Sequence, residues 1–142
     1  MSPAVRAQSG LLDTSTLILL PRITSPDALP QQPQISTVTL AELSVGPLVA
    51  DSEAERAARQ AVLQQTEADF VPIPFDAAAA RAFGRVAASL RQAGRKPQAR
   101  TYDAMIAAIA IANDLALYTC NPADFSGLDD LEVVAVAPPD PS

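Results

Sequence analysis

The chain has 142 residues, 49% of them hydrophobic but only 4% aromatic, and a formal net charge of -6 with no histidine and one cysteine. That length suits one domain with a real core, and the alanine-rich apolar content points to closely packed helices rather than a sheet sandwich. The missing histidine removes Ser-His-Asp and Cys-His catalysis, histidine general bases and most zinc sites. The single cysteine, Cys120, excludes an internal disulfide and fits a reducing cytoplasm. The acidic balance argues against a protein that holds nucleic acid by electrostatics alone, yet leaves room for an enzyme that acts on nucleic acid through bound cations. The longest apolar runs are too short to cross a bilayer; no secretion signal is expected at the start, and no glycine-rich phosphate loop is present. Carboxylates, hydroxyls, arginines and a metal remain as the means of chemistry.

In chain order, residues 1–9 read as a tail, 10–137 as the domain and 138–142 as a second tail. Gly10 to Asp13 is expected as a short buried strand ending on an acid, followed by an apolar helical segment around Leu17 to Leu20. Pro21 to Pro33 reads as a proline-rich loop. Gln34 to Thr37 is the next expected strand, and Val38 to Leu43 opens a helix with Thr37 or Thr39 as its cap. Glu42, three residues after Thr39, matches a capping box. A helix from Asp51 or Ser52 to about Thr66 follows, then a short edge strand at Phe70 to Pro74. Asp76 caps a helix to about Ala93, whose Phe83, Val86 and Leu90 recur at core spacing. Gln92 to Arg100 is the one basic stretch, a solvated loop or a phosphate-contacting lip. Thr101 to Ala112 is the most apolar run and reads as a buried helix with a single acid, Asp103, near its start. Leu115 to Thr119 and Leu131 to Val136 are the last strands. This alternation implies an α/β/α sandwich with a mainly parallel central sheet.

Four acids share an address in such a fold. Asp13 ends the first strand, Glu42 begins a helix, Asp103 begins the central helix, and Asp124 follows the strand at Leu115 to Thr119. Strand carboxyl ends and helix N-termini lie on one edge of a doubly wound sheet, where ligands bind. Each acid has a local explanation: Asp13 as an N-cap, Asp103 as a favourable charge in a first helical turn. Four at one edge share a cause more readily than four coincidences. Several carboxylates stay ionised at close range only with a counterion, and a hard divalent ion that prefers oxygen ligands is the natural one. Cys120, with no histidine to activate it, is not expected to act as a nucleophile.

Leu12-Asp13-Thr14-Ser15, Thr39-Leu40-Ala41-Glu42-Leu43, Tyr102-Asp103-Ala104-Met105-Ile106-Ala107-Ala108 and Tyr118-Thr119-Cys120-Asn121-Pro122-Ala123-Asp124-Phe125 resemble the successive motifs of PIN-domain ribonucleases, most closely the VapC toxins of bacterial toxin–antitoxin (VapBC) modules. The resemblance runs from Gly10 to about Val136. It implies a metal-dependent endoribonuclease that cleaves RNA by water attack, with Asp13 and Asp103 as the principal Mg²⁺ ligands and Mn²⁺ as a possible substitute. Glu42 would complete the acidic site, directly or through water. Asp124 is the usual fourth acid, but the family often has Asp where this chain has Asn121, which leaves the fourth position open between the two. Thr14 and Thr119 would be supporting hydroxyls, and Arg100 a contact to the scissile phosphate. The family further implies a homodimer and a cognate VapB-like antitoxin whose C-terminal segment blocks the groove. A catalytically inactive PIN-like module that binds RNA or protein is the alternative. A phosphoryl-transfer receiver or phosphatase is disfavoured by the position of Lys96, the only lysine.

Overall fold

In the computed structural model, residues 8–96 and 100–140 are described. Most of the first expected tail, the end of the second, and Pro97 to Ala99 of the basic stretch lie outside them. The elements are β1 (Ser9–Leu12), α1 (Thr14–Leu19), β2 (Gln32–Gln34), α2 (Thr37–Val45), α3 (Glu53–Asp69), α4 (Ala77–Gln92), α5 (Thr101–Ala112), β3 (Leu117–Thr119) and β4 (Val133–Ala135). Short 3-10 turns intervene, among them Gly46–Val49 and Pro122–Phe125. The strands form one parallel sheet in the order β2-β1-β3-β4.

The period of two along the strands builds the layers. Leu11 and Leu117 enter one apolar cluster with α4 and α5; Leu12 and Tyr118, their neighbours in sequence, enter another with Leu17 of α1, Leu43 of α2 and Val62 of α3. A helical layer therefore covers each face of the sheet, giving the α/β/α sandwich expected. Parallel strands buried on both faces need such apolar runs.

Helix α5 spans the residues expected of it. Ala104 and the run Ile106 to Ala110 are buried, and the helix packs mainly along α4. The alanines at 79 and 82 of α4 and at 104, 107, 108 and 110 of α5 allow close approach. Asp76 caps α4 by accepting a hydrogen bond from the Ala79 N–H at 3.0 Å. Gly94, at φ 76°, ends that helix in the left-handed region, where a side chain would be strained.

Three local expectations differ. The strand expected at Phe70 to Pro74 is a single parallel bridge between Ile73 and Ser36. Ile73 donates its N–H to Ile35 and accepts from Thr37, both at 2.9 Å; Pro72 and Pro74 have no N–H, so the ladder stops there. The strand expected at Gln34 to Thr37 instead pairs over Gln32–Gln34, so part of the proline-rich loop belongs to the sheet. The cap of α2 is Ser36, whose Oγ accepts from the Thr39 N–H at 3.1 Å, rather than Thr37 or Thr39.

Gly10 sits under the Tyr118 ring, and a Cβ there would lie 2.6 Å from the tyrosine Cδ1 and 3.2 Å from Pro30 Cγ. Gly10→Ala is expected to destabilise the protein by about 1–3 kcal/mol through overpacking. Chemical denaturation checks this; an unchanged midpoint would show that the ring moves aside freely.

Candidate active site

Asp13 leaves the end of β1 directly into α1 and is almost wholly buried, at 4% exposure. Its two oxygens have different tasks. Oδ1 accepts the Thr16 N–H at 3.1 Å, the N-cap of α1. Oδ2 accepts the Thr119 hydroxyl at 2.7 Å and lies 3.4 Å from the Ser15 hydroxyl. The capping role is therefore real, but it occupies one oxygen only.

Thr119 ends β3 and is fully buried. Its hydroxyl donates to Asp13 and accepts the Asn121 N–H at 2.9 Å, which fixes the proton toward the carboxylate. Cys120 donates its N–H to Thr16 Oγ1 at 2.9 Å. These bonds join the carboxyl ends of β1 and β3, adjacent strands from which the chain departs to opposite sides of the sheet. That is the switch point of the topology.

Glu42 reaches the same edge from the second turn of α2, the sixth of its nine residues, rather than from the start of the helix as expected. It does not close a capping box with Thr39; its Oε1 accepts the Thr14 hydroxyl at 2.7 Å, while Thr14 and Thr39 share a hydroxyl contact of 3.0 Å. Ser36 has already capped the helix, so Glu42 is free to turn toward α1.

Asp103 lies in the first turn of α5, half-buried, and Asp124 lies in the 3-10 turn after β3. Arg100 stands between them, with Nη1 2.5 Å from Asp124 Oδ1 and 3.7 Å from Asp103 Oδ2. Asn121 is exposed and donates its amide N–H to the Ser15 hydroxyl at 3.0 Å. Arg95 is held away from the acids: its Nη1 donates to the Ser126 carbonyl at 2.8 Å and hydroxyl at 2.9 Å. Among the described residues of the basic stretch, Arg100 is the one shown against these carboxylates.

The other three acids bear electrically on Asp103. The Asp103 carboxyl is pushed up from its ordinary 3.8 to about 6, first by burial and then by the negative charges of Asp124, Asp13 and Glu42, with Arg100 pulling it down. Among the described residues no three acids or cysteines are gathered closely enough to clasp an ion as they stand. Glu42 is turned to Thr14 and Asp124 to Arg100. The donor set nonetheless fits Mg²⁺ or Mn²⁺ in kind: hard carboxylate oxygens with hydroxyls behind them, and a surplus of negative charge that resists ionisation of Asp103.

Ser15, Thr16 and Thr39 belong to this hydrogen-bonded frame; the sequence suggests only a helix cap for Thr39 and no part in the site for any of the three. The signal in the sequence is their spacing, two and three residues after Asp13 and three before Glu42.

The raised Asp103 carboxyl has a definite consequence for stability. The folded state holds this proton more tightly than the unfolded chain, so the stabilisation is complete below about pH 4 and is lost as pH rises through about 6. Metal-free protein is expected to lose stability over that window relative to Asp103→Asn. Thermal melts of both proteins from pH 4 to pH 7 check it; parallel curves would contradict the crowding. Thr119→Val is expected to cost about 1–3 kcal/mol by leaving buried Asp13 without its hydroxyl donor, which denaturant unfolding measures.

A family model described as the PIN domain matches residues 11–131. Ribonuclease VapC5 of Mycobacterium tuberculosis is 36% identical over 130 residues, covering 90% of this chain and 93% of that protein. Ribonuclease VapC4 of the same organism is 35% identical over 102 residues, covering 72% of this chain and 75% of that one. The crystal structure of VapBC-5 from Mycobacterium tuberculosis, a member of the VapBC family of toxin-antitoxin systems, aligns with a TM-score of 0.78 at 34% identity, over 91% of this chain and 99% of that chain. With a parallel sheet of this order and four acids at its carboxyl edge, the chain belongs to the PIN-domain family, and its relatives there are VapC ribonucleases.

Proposed function

We propose that the protein is a divalent-cation-dependent endoribonuclease and the toxin of a VapBC-type toxin–antitoxin module, hydrolysing RNA to 5′-phosphate and 3′-hydroxyl ends. The relatives named as VapC ribonucleases and the VapBC-5 structure support the assignment to this chain. The observation that carries it is Asp103: an otherwise apolar helix delivers one carboxylate into the field of Asp13, Glu42 and Asp124.

Asp13 and Asp103 are the principal ligand candidates, with Glu42 completing the set and Asp124 at its border. Thr119 and the Thr16 N–H hold the Asp13 carboxylate in one orientation, and Thr14 holds Glu42. Such fixed supporting hydrogen bonds raise ligand precision. Mg²⁺, or Mn²⁺ in its place, supplies water activation and charge stabilisation on the phosphodiester. Histidine is not needed for either.

The partner is read as a VapB-like antitoxin segment. Beside Thr14 and Glu42 lies a cavity of about 400 Å³ that also touches Ile18, Leu43 and Val62; a second of about 350 Å³ has Ile18 and Val62 in common with it. Together they offer apolar seating that leads to the acids, as a blocking peptide requires. A homodimer completes the proposed assembly. Among the described residues no helix is long and apolar enough to cross a membrane.

With purified protein and cellular RNA, Asp13→Asn and Asp103→Asn are each expected to slow cleavage roughly a hundredfold or more, since even supporting residues of metal sites cost ten- to a hundredfold. Chelation should stop cleavage by the unaltered protein. Cleavage at the original rate by both folded variants would refute the assignment.

A further inference from the structure

One arginine stands among the acids. Arg100 precedes α5 by one residue and directs Nη1 to two carboxylates, 2.5 Å from Asp124 and 3.7 Å from Asp103. We propose that Arg100 is the built-in second cation of this centre: it neutralises Asp124 and leaves Asp13, Glu42 and Asp103 to a single divalent ion. The inference rests on the metal reading above.

Three observations converge on it. Asp124 and Arg100 are both about two-thirds shielded, with side chains 34% and 39% exposed, so the pair is not a fully solvated contact. Asp124 stands on the turn Pro122–Phe125, and Arg95 anchors the end of that turn through Ser126, which keeps the acid within reach of Arg100. Asn121 carries no charge and spends its amide on Ser15, so it supplies no anionic ligand that could replace Asp124. Four carboxylates and one guanidinium call for added positive charge, and because Asp124 is already paired with Arg100, a single divalent ion is left with the other three acids. A second divalent ion would have to take Asp124 from Arg100 and would sit beside a positive charge. Arginine stays protonated at any working pH, so this cation is permanent.

The arrangement makes the chain's own side chain a competitor for metal at Asp124 and a weak one at Asp103. Removing the guanidinium should free Asp124 for coordination and raise affinity at the remaining ligands. Nearby unit charges shift binding equilibria at carboxylates by about tenfold or more, and that is the expected gain at the first site.

Mn²⁺ binding to the purified full-length chain tests this by calorimetry and by electron paramagnetic resonance of free Mn²⁺. The unaltered protein should bind one Mn²⁺. Arg100→Gln should bind a second, or bind the first about tenfold more tightly, while Arg100→Lys, which keeps the charge, should resemble the unaltered protein. Arg100→Gln combined with Asp124→Asn should return to one ion, because the freed ligand is gone. A far-ultraviolet circular dichroism melt confirms that each variant is folded. If Arg100→Gln binds Mn²⁺ as the unaltered protein does, or if its gain survives Asp124→Asn, the inference is overturned and the single-ion nuclease stands. If no variant binds Mn²⁺, the metal reading falls and the inference with it.

Discussion

Like charges gathered at one edge of a parallel sheet are the constraint that the rest of this structure answers. The topology alone brings them there: β1 and β3 end side by side, α2 and α5 begin at that end, and each delivers an acid. Repulsion among them is felt most at Asp103, which combines partial burial with three negative neighbours. The surrounding hydrogen bonds hold the carboxylates in place against it. Thr119 and a helix N-terminus hold Asp13, Thr14 holds Glu42, and Arg100 holds Asp124. A centre so arranged is short of positive charge, and under the proposed function a divalent ion would supply what one arginine does not.

The apolar architecture serves this edge. Leu11 and Leu12 face opposite layers, as do Leu117 and Tyr118, so the strands that carry Asp13 and Thr119 are clamped from both sides. Helix α5 lies in the core along α4, which fixes the height of Asp103 above the sheet. Close packing of alanines there leaves little freedom for the helix to slide. Precision at the acids is therefore a property of the core rather than of the loops.

Much of this was legible in the sequence, for reasons that differ by element. The apolar run from Thr101 to Ala112, interrupted only by Asp103, marks a buried helix, and α5 has those bounds. Asp76 before an alanine-rich stretch marks a helix start, and it caps α4. The strand at Phe70 to Pro74 was not legible as the single bridge it is, because apolar composition says nothing about which N–H groups remain to pair; the two prolines decide that. Thr39 and Glu42 have capping-box spacing, but Ser36, one residue ahead of the helix, takes the cap and releases Glu42 to Thr14. The acids could be located from their sequence neighbours. Their partners could not: Thr119 to Asp13 spans most of the chain, and only the folded register brings them within 2.7 Å.

The most direct test of the account is anomalous diffraction from crystals soaked in Mn²⁺. The account predicts an anomalous peak bounded by Asp13, Glu42 and Asp103, with carboxylate oxygens of Asp13 and Asp103 within about 2.3 Å of it. A peak that touches neither aspartate, or two crystallographically ordered aspartates too far apart to share an ion, would contradict it.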